Sequence, residues 1–149
     1  MVTSRIKNVA ALIVSVGAAA LSMQATRASA SDVVALVHLS AQRMDVLVDG
    51  QRKYTWRVST GRDGWRTKAG TYYPFAQTPF YFSKKWNMAL PYLISIGEDG
   101  TAIHGTALTG HLGSPASHGC IRLDTSNAAR LYQLVSTNGM SSTKVVVIR

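Results

Sequence analysis

The chain has 149 residues, 16 Lys and Arg against 7 Asp and Glu, a formal net charge of +9 and a single cysteine. One cysteine excludes an internal disulfide framework. The basic residues are scattered rather than gathered into a run that would track phosphates, which argues against nucleic acid as a partner.

In chain order, residues 1–30 come first, with Arg5 and Lys7, an apolar run from Val9 to Met23, and then Ala28-Ser29-Ala30. This is the pattern of a secretory signal cut after a small residue. The run of about 15 residues falls short of the roughly 20 that span a bilayer. The expectation is a signal at 1–30 and one domain at 31–149, exported to the periplasm or cell wall, monomeric and with no integral membrane association. Arg5, Lys7 and Arg27 leave with the signal, so the mature charge is 13 − 7 = +6. That balance suits attraction to anionic wall polymers or phospholipid headgroups, or a solvated surface with no specific partner.

Val33, Ala35, Val37 and Leu39 alternate with Val34, Leu36, His38 and Ser40, the period of a strand. Residues 43–48 predict a second strand, turned at Asp49-Gly50 into a third at 54–58. A basic loop with Arg62, Arg66 and Lys68 follows between Gly61 and Gly70, then a strand at 71–73 stopped by Pro74. Residues 75–87 carry Phe75, Phe80, Tyr81, Phe82 and Trp86 without a clear period, and are read as core in preference to a cleft wall. Residues 88–96 predict a strand that Pro91 makes partly an edge. Beyond residue 123, Asp124 caps a helix whose Ala128, Leu131, Tyr132 and Val135 share one face, closed by Asn138-Gly139. A buried strand at 144–148 ends the chain. The class is mainly β, with one clear α-helix.

Reactive side chains concentrate between residues 102 and 123, which hold Cys120, His104, His111 and His118 among glycines. After a short strand at 101–103 this stretch reads as a loop, the usual seat of catalytic groups. Ser117, His118, Gly119 and Arg122 give Cys120 a polar, electropositive setting that favours a thiolate. A cysteine attacking an acyl carbon also needs an imidazole, which His104 supplies, and amide donors for the oxyanion, which the amides of residues 118–120 offer. The spacing of seven between His104, His111 and His118 raises zinc as an alternative. A glycine-rich run gives equal spacing no shared face, however, and there is no His-Glu-x-x-His motif, so neither metal nor cofactor is expected. A papain-like peptidase would place its cysteine before its histidine. His111 is read as a loop residue, near the substrate or simply solvated, and His38 as structural.

The segments Ile103-His104-Gly105-Thr106 and Ser117-His118-Gly119-Cys120-Ile121-Arg122-Leu123 resemble the active-site signature of the YkuD-type L,D-transpeptidases. The resemblance extends to residues 58–61, 67–72, 88–92 and 123–132, with Lys68 where the family usually has proline. It implies a YkuD-like β-sandwich in which Cys120 is the nucleophile and His104 the general base and acid, with Ser117, His118, Gly119 and Arg122 shaping the acyl-donor site. The implied reaction is acyl transfer on peptidoglycan stem peptides. Terminal D-alanine leaves and the acyl group passes to an amine of another stem peptide, a lipoprotein or a D-amino acid. Transfer to water would make the protein an L,D-carboxypeptidase. A wall-binding module without turnover is the alternative of another class.

Overall fold

The computed structural model describes residues 30–149, so the expected signal lies outside the described residues except for its last position. The strands are β1 (Val33–His38), β2 (Arg43–Val48), β3 (Gln51–Arg57), β4 (Gly70–Tyr72), β5 (Ala76–Ser83), β6 (Met88–Ser95), β7 (Ala102–Thr106), β8 (Ile121–Asp124) and β9 (Thr143–Ile148). Helix α1 (Thr125–Asn138) links β8 to β9 through one short 3-10 turn. Among the described residues the strands form two sheets, ordered β3-β2-β1-β9-β4 and β5-β6-β7-β8.

The period-2 pattern of β1 buries Val33, Ala35 and Val37 and leaves their neighbours partly exposed. β9 lies parallel to β1 and adds Val145 and Val147 to the same core. Ile103 of β7, Ile121 and Leu123 of β8, and Ala128, Leu131 and Val135 of α1 complete it. Burying such a side chain stabilises by roughly 1.5–3 kcal/mol, enough for these positions to fix which face of each strand turns inward. Asp124 caps α1 as expected, its carboxylate accepting from the Ser126 N–H at 2.9 Å.

Two expectations are corrected. Residues 76–83 form a strand whose aromatics are not core: Phe75, Phe80, Tyr81 and Phe82 are all exposed. The reason is pairing. β6 pairs with β7 only at Ile94 and Ser95, so the distal part of the β5–β6 hairpin, residues 79–89, stands out as a two-stranded arm, while Leu90 and Pro91 already pack against the body. Pro91 lies beside Gly105 but outside the two residues of β6 that pair with β7, so its missing N–H breaks no bond of that ladder. Residues 102–123 are not all loop either. β7 continues to Thr106 because Gly105 and Thr106 pair with Leu123 and Asp124 of β8, so a strand stands at each end of the stretch.

Candidate active site

β7 and β8 run parallel, with Ile103 opposite Ile121 and His104 opposite Arg122. Side chains alternate along a strand, so while Ile103 and Ile121 turn to the core, His104 and Arg122 share the other face. Cys120, two residues before Arg122, falls on that face too. Two residues along and one strand across separates the Cα atoms of Cys120 and His104 by roughly 8 Å, which a thiol and an imidazole together can bridge. Both residues line a cleft of about 880 Å³, as do Ser117, His118, Gly119 and Arg122.

His104 is 2% exposed. Its Nδ1 lies 2.8 Å from the Gly105 carbonyl oxygen, which can only accept, so Nδ1 carries the proton and Nε2 keeps its lone pair. Burial, with a smaller push from Arg122, lowers its pKa to about 4 against the favourable Gly105 bond. The ring is a neutral base at physiological pH.

The thiol departs from what its neighbours in sequence imply. Instead of favouring the thiolate, burial pushes the Cys120 pKa above the usual 9.0, helped by Asp99 and opposed by a backbone bond from Ala102 and by Arg122. Its Sγ lies 3.8 Å from the Gly100 carbonyl. Cys120 and His104 therefore rest as thiol and neutral imidazole. The positive neighbours evident in the sequence are present, and removal from water outweighs them.

The turn before Cys120 is held from both sides. Ser117 is fully buried, accepts from the Gly119 N–H at 3.1 Å and donates to the Cys120 carbonyl, so it braces the turn rather than presenting its hydroxyl to the cleft. Gly119 has φ of 113°, a conformation that side chains rarely adopt. With the Gly119 N–H engaged, the N–H groups of His118 and Cys120, neither bonded to another described residue, are left for an oxyanion. Residues 58–61 form the outer brace. Ser59 exchanges two backbone bonds with Arg122, 2.8 and 3.0 Å, and the Thr60 carbonyl accepts from Ala116 and Ser117. Thr67, unremarked in the sequence as a site residue, takes the Gly61 N–H at 2.9 Å and donates to the Gly119 carbonyl at 2.8 Å. A side chain at Gly61 would put Cβ 1.8 Å from the Trp65 carbonyl oxygen, so only glycine fits there.

Trp86 of the arm stacks on His118 with ring centres 4.0 Å apart, and Trp65 meets the same ring edge-on. Arg62 donates to His118 Nε2 at 2.9 Å. Burial, then Arg62, Arg122 and Lys85, hold the His118 pKa down. Tyr81, Lys85 and Trp86 from the arm and Glu98, Asp99 and Gly100 from the β6–β7 turn wall the cleft. The aromatic segment is a cleft wall, the less favoured of the two readings its composition allows.

The equally spaced histidines are not brought together. His104 is buried on β7, His118 stacks on Trp86, and His111 is exposed on a short 3-10 turn away from the cleft lining, the solvated one of its two readings. Among the described residues no three His, Cys, Asp or Glu side chains are grouped to hold a metal ion. His38 bonds to Asp45 at 3.1 Å, the structural role expected of it.

A two-sheet β domain with an imidazole on one strand and a thiol in the turn that enters the adjoining parallel strand, both lining one open cleft, is the class that fold and site define. The chain belongs to the YkuD family, described as the L,D-transpeptidase catalytic domain, whose model matches residues 32–148. Among solved structures it is similar to an L,D-transpeptidase from Mycobacterium smegmatis, with 22% identity and a TM-score of 0.71, over 80% of this chain and 59% of that one. It is similar to an L,D-transpeptidase from Stackebrandtia nassauensis with 28% identity and a TM-score of 0.68, over 79% and 56%. It also resembles L,D-transpeptidase 3 from Mycobacterium tuberculosis in complex with a faropenem-derived adduct, with 21% identity and a TM-score of 0.68, over 80% and 61%. The chain thus spans about three fifths of the solved chains it matches. No curated protein matches it.

Proposed function

We propose that the protein is an exported, cysteine-dependent L,D-transpeptidase that transfers acyl groups between peptidoglycan stem peptides. The observation that carries this reading is that Cys120 and His104 line the same cleft, with the His104 Nδ1–H tied to Gly105 and Nε2 left free to take a thiol proton. Nε2 removes that proton as Sγ attacks the carbonyl before the terminal D-alanine. The negative charge on the carbonyl oxygen meets the N–H groups of His118 and Cys120. Collapse forms the thioester and breaks the C–N bond, and the proton on Nε2 goes to the leaving D-alanine nitrogen. A second amine then attacks the thioester, gives its proton to Nε2 and releases the thiol. The neutral resting pair suits this scheme, because the proton moves as the bond forms and no ion pair has to be kept away from water. Membership of the family supports the reaction class. The signal-like residues 1–30 and the basic balance support export to the wall. Among the described residues no helix is long and apolar enough to cross a membrane.

The test is incubation with defined muropeptides and separation of the products by mass. Wild-type protein should release D-alanine and yield a cross-linked or exchanged product, while Cys120→Ala yields neither. Release without transfer to any amine would assign carboxypeptidase activity instead. Turnover by the alanine variant would overturn the role of Cys120. A penem should also leave a covalent adduct on the wild type and none on Cys120→Ala, by analogy with the faropenem-derived adduct of the mycobacterial structure.

A further inference from the structure

The arm has a second side that the cleft does not use. Cross-strand partners share a face, so Phe80 with Pro91 and Phe82 with Ala89 form one side, and Tyr81 with Leu90 and Ser83 with Met88 the other. The second set lines the cleft, and the first turns away from it. On this back side Phe80 is 63% exposed and Phe82 48%, and Lys84 and Lys85 follow at the exposed turn. Scattered apolar residues on a surface are ordinary. Here, however, Trp65, Tyr73, Phe75, Phe80, Tyr81 and Phe82 supply six of the eight large exposed hydrophobics among the described residues.

Charge and shape select what covers the back of the arm. Residues 64–97 contain no Asp or Glu, against Arg66, Lys68, Lys84 and Lys85. Arg66 pairs with Asp63 and Lys68 with Asp99, whereas Lys84 and Lys85 enter none of the ion pairs among the described residues. The complementary partner is therefore anionic. The back lines neither the cleft nor the groove between β3 and α1, so it offers no concave seat to a small ligand or a single polymer unit. Pro79 interrupts the free edge of β5, which argues against strand pairing with a second copy. Phenylalanines without a polar tip beside lysines suit a lipid boundary, where rings enter the acyl region and ammonium groups stay with the phosphates. At about 3.3 Å per residue, the five residues from Pro79 to Ser83 extend roughly 16 Å, more than the 5–10 Å depth of that boundary.

We infer that the back of the arm docks on an anionic phospholipid surface, with Phe80 and Phe82 entering the boundary between headgroups and acyl chains and Lys84 meeting the phosphates. The unpaired edge of β5 limits the depth, because its backbone groups need water or headgroups as partners. Tyr81 and Ser83 point the opposite way, so the docked arm leaves the cleft open and holds it beside the membrane. The inference rests on this surface and not on the chemistry of the cleft.

The experiment is sedimentation of the full chain with vesicles of phosphatidylglycerol and phosphatidylcholine, and with vesicles of phosphatidylcholine alone. The doubly substituted Phe80→Ser, Phe82→Ser protein should partition roughly 10- to 100-fold more weakly than wild type on the anionic vesicles. Lys84→Gln should lose about 5-fold there and nothing on the neutral ones. Equal urea midpoints confirm that the variants fold. In Phe82→Trp, doxyl-labelled lipid should quench the emission beyond the wild-type level, a signal from the arm that residues 1–29, common to every protein compared, do not supply. Iodoacetamide should alkylate Cys120 as fast on vesicles as off them. Equal partition of wild type and the phenylalanine variant, or no added quenching in Phe82→Trp, overturns the inference. Blocked alkylation on vesicles overturns it by putting the cleft side against lipid. Binding to soluble polyphosphate as tight as to vesicles, and indifferent to both phenylalanines, overturns it in favour of charge alone. Dimerisation of the wild type without lipid, absent from the phenylalanine variant, gives the face to a second copy instead.

Discussion

Acidification should weaken the fold through His104 in particular. In the unfolded chain a histidine titrates near 6.5, whereas in the folded protein burial holds His104 to about 4. Between those values the unfolded state binds the proton that the folded state refuses, so stability is fully present above pH 6.5 and drains away as the pH falls to 4. The difference of 2.5 pH units corresponds to about 3 kcal/mol at 1.36 kcal/mol per unit. That is a large share of the 5–15 kcal/mol that holds a typical domain together. Urea unfolding followed by tryptophan fluorescence at pH 7, 5.5 and 4 measures it, with His104→Gln as the reference. The variant keeps a neutral polar side chain at the site but has nothing to protonate. His118, Asp45, Asp99 and Asp124, also shifted downward, are common to both proteins and cancel in the difference. The wild type should lose about 3 kcal/mol more than the variant over this range. Parallel losses would refute the argument that the imidazole is held neutral by its burial.

Alkylation of Cys120 by iodoacetamide should keep accelerating past pH 9, since burial raises the thiol above its usual value. A rate already at its plateau by pH 7 would show instead a resting thiolate–imidazolium pair. Gly61→Ala should cost about 1–3 kcal/mol by urea unfolding, because its Cβ collides with the Trp65 backbone. Acyl transfer should fall by on the order of 10²-fold as Thr67 and the Gly119 turn shift with it, and wild-type rates in this variant would dismiss the brace.

Much of this arrangement could be read from residue order. Strong periodicity marked β1 and α1, and the concentration of His104, Ser117, His118, Gly119, Cys120 and Arg122 in one stretch marked the cleft that all six line. The sequence was silent where function depends on distant partners. Thr67 is an ordinary threonine until the chain brings Gly61 and Gly119 to its hydroxyl, 6 and 52 residues away. The arm misled for a related reason. Aromatic content suggests burial, but burial depends on a neighbouring element, and among the described residues no strand pairs with the free side of β5. The thiol misled because charged neighbours can be counted in a sequence and lost hydration cannot.

The paired hydrogen bonds between Ser59 and Arg122 join the segment after β3 to β8, so the amide protons of both residues can reach deuterium only through openings that separate the two sheets. The turn that carries Cys120 is thereby tied to the segment after β3 as well as to β7. Adjustment of the cleft's width then falls to the arm, whose Trp86 is held over the cleft by ring contacts with His118 and Trp65 and not by a strand ladder.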